Sequence, residues 1–210
     1  MTFDKNMLTL YAVTDTAWLN GRSLYEVTEQ AIQGGATMVQ LREKDRAKCA
    51  WEAKKLVPLC RKYKVPLIVN DYADIALSCG ADGVHVGQRD MEAGKVREIL
   101  GKDKVLGVSV QTIEQARLAW QMGADYFGVG AVFPTSTKLD ADTVLLQKLA
   151  EICQSIPVPV CAIGGISQEN IKQLRGSGIA GIALVSAIFG ADDIAGACQV
   201  LRKLADEVVQ

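Results

Sequence analysis

The chain has 210 residues, a formal net charge of −1, 49% hydrophobic residues and 22% charged residues. This composition is typical of a compact folded protein and excludes an intrinsically disordered chain. Its scattered basic residues also exclude the clustered positive surface that nucleic acid requires, so small molecules are the expected partners. At this length we predict a single domain over residues 1–210.

The distribution of cysteine and histidine argues against a zinc site. Six cysteines form no C-x-x-C pair, and the chain has one histidine. The N-terminal segment MTFDKNML lacks the apolar core of a signal peptide, and the apolar stretch at 181–191 is too short to span a bilayer. We therefore expect a cytoplasmic protein with reduced thiols and no membrane contact.

Four similar segments recur along the chain and give the first indication of the fold. Each contains a glycine, which can end a helix in the left-handed conformation, followed by a short apolar run that predicts a buried strand. The segments are GGATMVQL (34–41), CGADGVHV (79–86), MGADYFGV (122–129) and SGIAGIAL (177–184), with these glycines at Gly35, Gly80, Gly123 and Gly178.

In chain order, these four strands alternate with four further apolar runs. The further runs are LTLYAVT (8–14), PLIVN (66–70), KVLGVSV (104–110) and PVCAIGG (159–165). Apolar residues at helical spacing predict helices between the strands and after the last one, at 24–33, 50–63, 72–79, 93–100, 113–122, 143–153, 169–175 and 195–209. Strands that alternate with helices lie parallel, and eight such units predict a (β/α)8 TIM barrel. An open doubly wound sheet is the alternative, but no G-x-G-x-x-G motif follows the first strand.

Polar residues follow most of the predicted strands, at the end of the barrel where active sites lie. Arg42 and Lys44 follow strand 2 and Lys138 follows strand 6, and these three cations can converge on a diphosphate. Asp71 and Asp90 follow strands 3 and 4 and can share a Mg²⁺ ion with substrate phosphate oxygens. The sequence therefore predicts a site for a metal-bound diphosphate.

A second anion site is predicted after strands 7 and 8. The Gly164-Gly165 pair exposes backbone N–H groups, and Val185-Ser186 opens the last helix, an arrangement that binds phosphate in many barrel enzymes. Taken singly, these features are also ordinary charged loops, tight turns or helix caps. Polar groups at seven consecutive strand ends favour one shared site. His85 lies inside an apolar run and is interpreted as a structural residue.

Longer motifs add to these patterns, and by them the chain resembles the thiamine phosphate synthase family over essentially its whole length. VFPTSTK together with VQLREK is a specific signature, whereas AIGGI occurs in many phosphate-binding barrels. The motifs are YAVTD (11–15), VQLREK (39–44), ND (70–71), DGVHVGQRD (82–90), GVSV (107–110), GVGAVFPTSTK (128–138), AIGGI (162–166) and VSAI (185–188).

The resemblance implies a transferase that joins a pyrimidine diphosphate to a thiazole phosphate and releases diphosphate. It implies that Asp71 and Asp90 bind Mg²⁺, and that Arg42, Lys44 and Lys138 stabilise the departing diphosphate. The residues implied for the pyrimidine diphosphate are Gln40, Leu41, Arg42, Glu43, Lys44, Asn70, Ser109 and Lys138. The residues implied for the thiazole phosphate are Thr135, Ser136, Thr137, Gly165, Val185 and Ser186.

Two positions depart from the pattern common in this family, and two other functions compete with the implied one. Tyr72 stands where many members have arginine, and Gln111 stands where many have histidine, so we expect changed affinity with retained activity. A related thiazole tautomerase typically carries a catalytic histidine in the segment where this chain has Ala131. A non-catalytic phosphate-binding barrel would not need Asp71 or Asp90. The sequence leaves the oligomeric state open, a homo-oligomer included.

Overall fold

A computed structural model describes residues 2–134 and 146–209 of the chain. Within these ranges, eight parallel strands form a closed barrel in sequence order. The last strand pairs with the first, with Leu10 opposite Ile182, which closes the ring. The predicted (β/α)8 fold is therefore confirmed. The strands are β1 Leu10–Val13, β2 Met38–Leu41, β3 Leu67–Asn70, β4 Gly83–Val86, β5 Val105–Val110, β6 Tyr126–Val129, β7 Val160–Ile163 and β8 Gly181–Leu184.

Helices surround the barrel, and four of the eight described helices follow a residue whose side chain caps them, at Ser23, Asp45, Thr112 and Asp193. Ser23 and Glu26 form a capping box at the start of α1, and Asp45 accepts hydrogen bonds from two backbone N–H groups at the start of α2. No helix in the described part of the chain is long and apolar enough to cross a membrane. The helices are α1 Leu24–Gln33, α2 Arg46–Tyr63, α3 Ala73–Cys79, α4 Ala93–Leu100, α5 Ile113–Gln121, α6 Leu146–Ser155, α7 Ser186–Phe189 and α8 Ile194–Val208.

The glycines of the four repeated segments have the conformation that the sequence predicts. Gly35, Gly80, Gly123 and Gly178 all have positive φ angles, of 106°, 74°, 86° and 84°. The helix predicted over 169–175 is wrong, because this segment forms only a short 3-10 helix, Ile171–Leu174. Gly176 and Gly178, both with positive φ, turn the chain directly into β8 and leave no room for a longer helix.

The buried side chains form two groups on either side of the strands. Residues such as Leu10, Val39 and Leu41 point outward and pack against the helices. Alternate residues point into the barrel, where Tyr11 and Tyr126 are among the buried side chains. The barrel is therefore filled by side chains, and the space for a ligand lies above this filling, at the carboxyl ends of the strands.

Candidate active site

A cavity of about 440 Å³ lies at the carboxyl ends of the strands, and residues from each of the eight strands described line it. This is the end of the barrel at which the sequence predicts the site. Polar side chains predominate around β2 to β5, and glycines line the wall formed by β6 and β7. The predicted site residues that line this cavity are Gln40, Arg42, Lys44, Asn70, Asp71, Asp90, Ser109, Gly165, Val185 and Ser186.

The loop after β2 holds the guanidinium of Arg42 in a fixed orientation. Arg42 Nη1 lies 2.5 Å from Asp15 Oδ2, and the side chains of Arg42 and Asp15 are only 22% and 16% exposed. The backbone N–H of Arg42 donates to Thr14 Oγ1 at 3.0 Å. A guanidinium has five N–H donors in a rigid plane, so the ion pair also sets the direction of the remaining donors.

Tyr72 holds the same loop from the other side. Its hydroxyl donates to the backbone oxygen of Lys44 at 2.6 Å, and the guanidinium of Arg46 lies over its ring, 5.2 Å from the centroid. Desolvation is the largest cause, and the charge of Asp71 the second, that raises the pKa of Tyr72. The hydroxyl therefore stays protonated and able to donate. Tyr72 thus holds the backbone of Lys44 in place.

The two acidic residues lie in the loops that follow the neighbouring strands β3 and β4, and both line the cavity. Asp71 has a φ of 66°, which is uncommon for a residue other than glycine, and its backbone N–H donates to the carbonyl of His85 at 2.9 Å. Asp90 Oδ2 accepts a hydrogen bond of 2.7 Å from the N–H of Gly87. In the described ranges, no group of three or more His, Cys, Asp and Glu side chains could hold a metal ion.

The loops after β7 and β8 form the opposite wall of the cavity. Gly164 and Gly165 have φ angles of 97° and 65°. The carbonyl of Gly165 accepts a hydrogen bond from Asn170 Nδ2 at 2.8 Å, which fixes the turn. Val185 immediately precedes α7, and Ser186 is the first residue of this helix. Within residues 2–134 and 146–209, the N–H groups of Gly165 and Ser186 have no hydrogen-bond partner.

The remaining predicted residues do not line the cavity or are not described. Leu41 is fully buried between the barrel and the helices. Glu43 lies outside the cavity lining, and its carboxylate accepts a hydrogen bond from the N–H of Asp45 at 2.8 Å. Thr135, Ser136, Thr137 and Lys138 lie outside the described residues.

The floor of the cavity contains polar side chains that the sequence reasoning missed. Tyr11 and Tyr126 are buried inside the barrel, and their hydroxyl oxygens lie 2.9 Å apart. Tyr11 also accepts a hydrogen bond from Gln40, and Tyr126 lies within hydrogen-bond distance of His85. The structural role expected for His85 agrees with these contacts. Tyr11 is the first letter of the YAVTD motif, whereas the glycines of β5 and β6 beside the rings become informative only once the strand register is known.

The geometry defines a barrel with charged and polar residues around one cavity, and comparison with known proteins gives its family. The model of the family described as thiamine monophosphate synthase matches residues 10–188. A thiamine-phosphate synthase of Clostridium tetani is 48% identical over 207 residues, which are 97% of this chain and 99% of the relative. One of Ruminiclostridium cellulolyticum is 50% identical over 198 residues, or 93% and 94% of the two chains.

A solved structure supports the same relationship. The thiamine phosphate pyrophosphorylase from Pyrococcus furiosus matches with a TM-score of 0.90 and 38% identity, over 98% of this chain and 99% of that one. The chain belongs to the thiamine monophosphate synthase family. The family resemblance predicted from the motifs is confirmed, and with it the prediction of a transferase enzyme.

Proposed function

We propose that this protein is a thiamine phosphate synthase. It transfers the pyrimidinylmethyl group of 4-amino-5-hydroxymethyl-2-methylpyrimidine diphosphate to the nitrogen of a thiazole phosphate and releases diphosphate. One observation supports the proposal: two sets of groups suited to bind anions line the same cavity. Arg42 and Lys44 supply cations from the loop after β2, whereas Gly165 and Ser186 supply backbone N–H groups from the loops after β7 and β8. Two phosphorylated substrates that react with each other need this arrangement.

The pair Asp71 and Asp90 fits a Mg²⁺ ion. Magnesium is usually held by one or two carboxylates together with substrate phosphate oxygens and water, so a third protein carboxylate is not required. Both carboxylates line the cavity, and the N–H of Gly87 orients the carboxylate of Asp90. A bound Mg²⁺ ion would supply charge neutralisation for the departing diphosphate.

The proposed transfer breaks one bond and forms another without a proton transfer. The carbon–oxygen bond to the diphosphate breaks, and its electron pair leaves with the diphosphate. The lone pair of the thiazole nitrogen then forms the carbon–nitrogen bond. Arg42 and Lys44 stabilise the charge that grows on the leaving group, and the resemblance assigns the same task to Lys138.

The side chains in the cavity support a mechanism without a protein nucleophile. Cys161 lines the floor, but burial raises the pKa of its thiol well above the ordinary range, so the thiolate is not formed near neutral pH. His85 is already engaged with Tyr126 and Ser109. A thiazole tautomerase is disfavoured because Ala131, a cavity residue, cannot act as an acid or base.

The thiazole phosphate is assigned to the glycine side of the cavity. Gly165, Val185 and Ser186 lie there, and Thr135, Ser136 and Thr137 are assigned to the same ligand by the resemblance. The proposed enzyme works on small molecules in the cytoplasm, without nucleic acid or membrane. Its assembly as a homo-oligomer and its organisation as one domain over residues 1–210 stay predictions.

A two-substrate assay tests the function. The purified protein is treated with a chelator, and thiamine phosphate and released diphosphate are measured with each substrate alone and with both, with and without added Mg²⁺. We expect product only when both substrates and Mg²⁺ are present. Isomerised thiazole formed without the pyrimidine diphosphate would indicate a tautomerase, and anion binding without turnover would indicate a non-catalytic barrel.

A pair of variants tests the assignment of the leaving-group site. Arg42→Ala removes a charge-assisted contact of about 1.5–3 kcal/mol, so kcat/KM should fall by roughly one to two powers of ten. Lys203→Ala is the control, because Lys203 lies on the exposed face of α8, outside the cavity lining. Equal activity of the two variants would contradict the role given to Arg42.

A further inference from the structure

A continuous chain of five polar side chains crosses the floor of the cavity inside the barrel. Gln40 Nε2 donates to the hydroxyl of Tyr11 at 2.8 Å, and the hydroxyls of Tyr11 and Tyr126 lie 2.9 Å apart. The hydroxyl of Tyr126 lies 3.0 Å from His85 Nδ1, and His85 Nε2 lies 2.9 Å from Ser109 Oγ. The chain therefore joins Gln40 on β2 to Ser109 on β5, two residues assigned to the pyrimidine substrate.

The number of protons in this chain determines the direction of every hydrogen bond. The Gln40 amide nitrogen only donates, so the hydroxyl of Tyr11 accepts there and gives its single proton to Tyr126. Tyr126 in turn gives its proton to His85 Nδ1, which must then be the unprotonated ring nitrogen. The proton of a neutral imidazole consequently lies on Nε2 and is donated to Ser109 Oγ.

We infer that Tyr11, Tyr126 and His85 are positioning residues that set the hydrogen-bonding polarity of the two ends of this chain. The oxygen of the Gln40 amide is left as an acceptor for a ligand, and the hydroxyl proton of Ser109 is left as a donor. The ring proton of His85 lies on Nε2. This inference rests on the proposed function for its substrate, because the ligand it concerns is the pyrimidine of the diphosphate substrate.

Two glycines in the strands leave the space that the rings of Tyr126 and His85 occupy. A Cβ atom at Gly107 on β5 would lie 2.1 Å from Tyr126 Cζ and 2.5 Å from His85 Nδ1. A Cβ atom at Gly128 on β6 would lie 3.1 Å from His85 Cε1. Glycine weakens a strand interior, and its use here is explained by the close approach of these side chains.

The polarity of the floor matches an aminopyrimidine and opposes its oxo analogue. An exocyclic amino group donates to the Gln40 oxygen, and a ring nitrogen accepts from the Ser109 hydroxyl. An oxo analogue presents an acceptor and a protonated ring nitrogen instead, so it would face a group of the wrong type at each end. A site whose polar groups are left unpaired by an analogue rejects that analogue strongly. The floor therefore selects the amino form of the substrate.

A spectroscopic test is direct because the protein has a single histidine. The ¹⁵N chemical shifts of the imidazole in the tag-free, substrate-free protein report which nitrogen carries the proton. We expect the Nε2–H tautomer, and we expect Tyr126→Phe to reduce its population because Nδ1 then loses its donor. The Nδ1–H tautomer in the unchanged protein would overturn the inference, because His85 would then donate to Tyr126 and the hydrogen bonds would not all point from Gln40 towards Ser109.

A kinetic test measures the consequence for substrate. Tyr126→Phe should raise KM for the pyrimidine diphosphate by about tenfold or more and leave KM for the thiazole phosphate nearly unchanged. Tyr25→Phe is the matched control, since Tyr25 is exposed on α1. If Tyr126→Phe does not fold, Tyr11→Phe is used instead, because it removes the hydroxyl that links Gln40 to Tyr126. Equal KM values for the floor and control variants would overturn the positioning role.

The two tests separate this inference from the proposed function. The tautomer is measured without substrate and without turnover. The expected tautomer in a protein that makes no thiamine phosphate would refute the function and leave the direction of the chain established. Equal KM values for Tyr126→Phe and Tyr25→Phe, in a protein that does make thiamine phosphate, would refute the inference alone.

Discussion

Replacing Gly165 by alanine should displace the segment after β6, because that segment packs directly on this glycine. A Cβ atom at Gly165 would lie 2.3 Å from the backbone oxygen of Pro134 and 2.7 Å from that of Phe133. Both contacts are with backbone atoms, so rotation of a side chain cannot relieve them. Gly165 also has a φ of 65°, which alanine adopts only with strain.

A second glycine separates the strain of the backbone from the effect of the contact. Gly176 has a φ of 80°, and a Cβ atom there would have no neighbour within 4 Å. Gly176→Ala should therefore cost only the left-handed penalty, roughly 1–2 kcal/mol. Gly165→Ala should cost this amount and about 1–3 kcal/mol more for overpacking. For a domain of this size, each kcal/mol lowers Tm by about 2–4 °C.

The activity of the two variants decides whether the contact matters for function. Residues 133 and 134 lead into the segment that holds the hydroxyls assigned to the thiazole phosphate. Misplacement of binding groups by about 1 Å can reduce the rate 100-fold, so we expect such a loss in kcat/KM for the thiazole phosphate in Gly165→Ala. Gly176→Ala should keep normal kinetics after allowance for its Tm. Identical Tm and kinetics in the two variants would refute the reasoning.

Three further predictions concern the rim and the floor. Tyr72→Phe removes the hydrogen bond to the Lys44 carbonyl and should raise KM for the pyrimidine diphosphate several-fold at unchanged Tm; an unchanged KM would exclude this positioning role. Asp90→Asn should raise the Mg²⁺ concentration needed for half-maximal activity by about tenfold or more, and an unchanged requirement would remove Asp90 from the metal site. Burial raises the pKa of Tyr11 and of Tyr126 above the ordinary range, whereas unfolded tyrosines ionise near pH 10. The stability due to these two hydroxyls is therefore present below about pH 10 and lost as the pH rises above it. An absorbance titration should accordingly show two of the five tyrosines ionising only on unfolding, and ionisation of all five in the folded state would contradict the buried chain.

The barrel could be predicted from the sequence because its repeating unit is local. A helix, a glycine in the left-handed conformation and a short buried strand lie within one stretch of chain, and the positive φ angles at Gly35, Gly80 and Gly123 agree with the prediction. The helix over 169–175 could not be predicted correctly from its apolar spacing, because the early turn at Gly176 limits its length. The spacing of apolar residues within a segment does not show how soon the chain must turn into the next strand.

The rim of the site was predictable for a topological reason. In a parallel barrel all strand ends meet at one edge, so Arg42, Asp71 and Asp90 share a cavity whatever their side chains do. Membership of a contiguous motif, by contrast, does not predict which of its residues reach the cavity. Leu41 follows Gln40 in a strand, where successive side chains point to opposite faces, so Leu41 packs against the helices while Gln40 lines the cavity.

The polar contacts at the floor of the cavity could not be predicted from the sequence, because they depend on the register between strands. Tyr11 and Tyr126 belong to apolar runs, and nothing near them in the chain shows that their hydroxyls meet. The pairing of Gly107 with Tyr126 places the glycine beside the ring that needs its space. Once the register is known, Gly107 becomes informative, because it lies where the row of hydrogen-bonded polar side chains crosses the barrel below the candidate site.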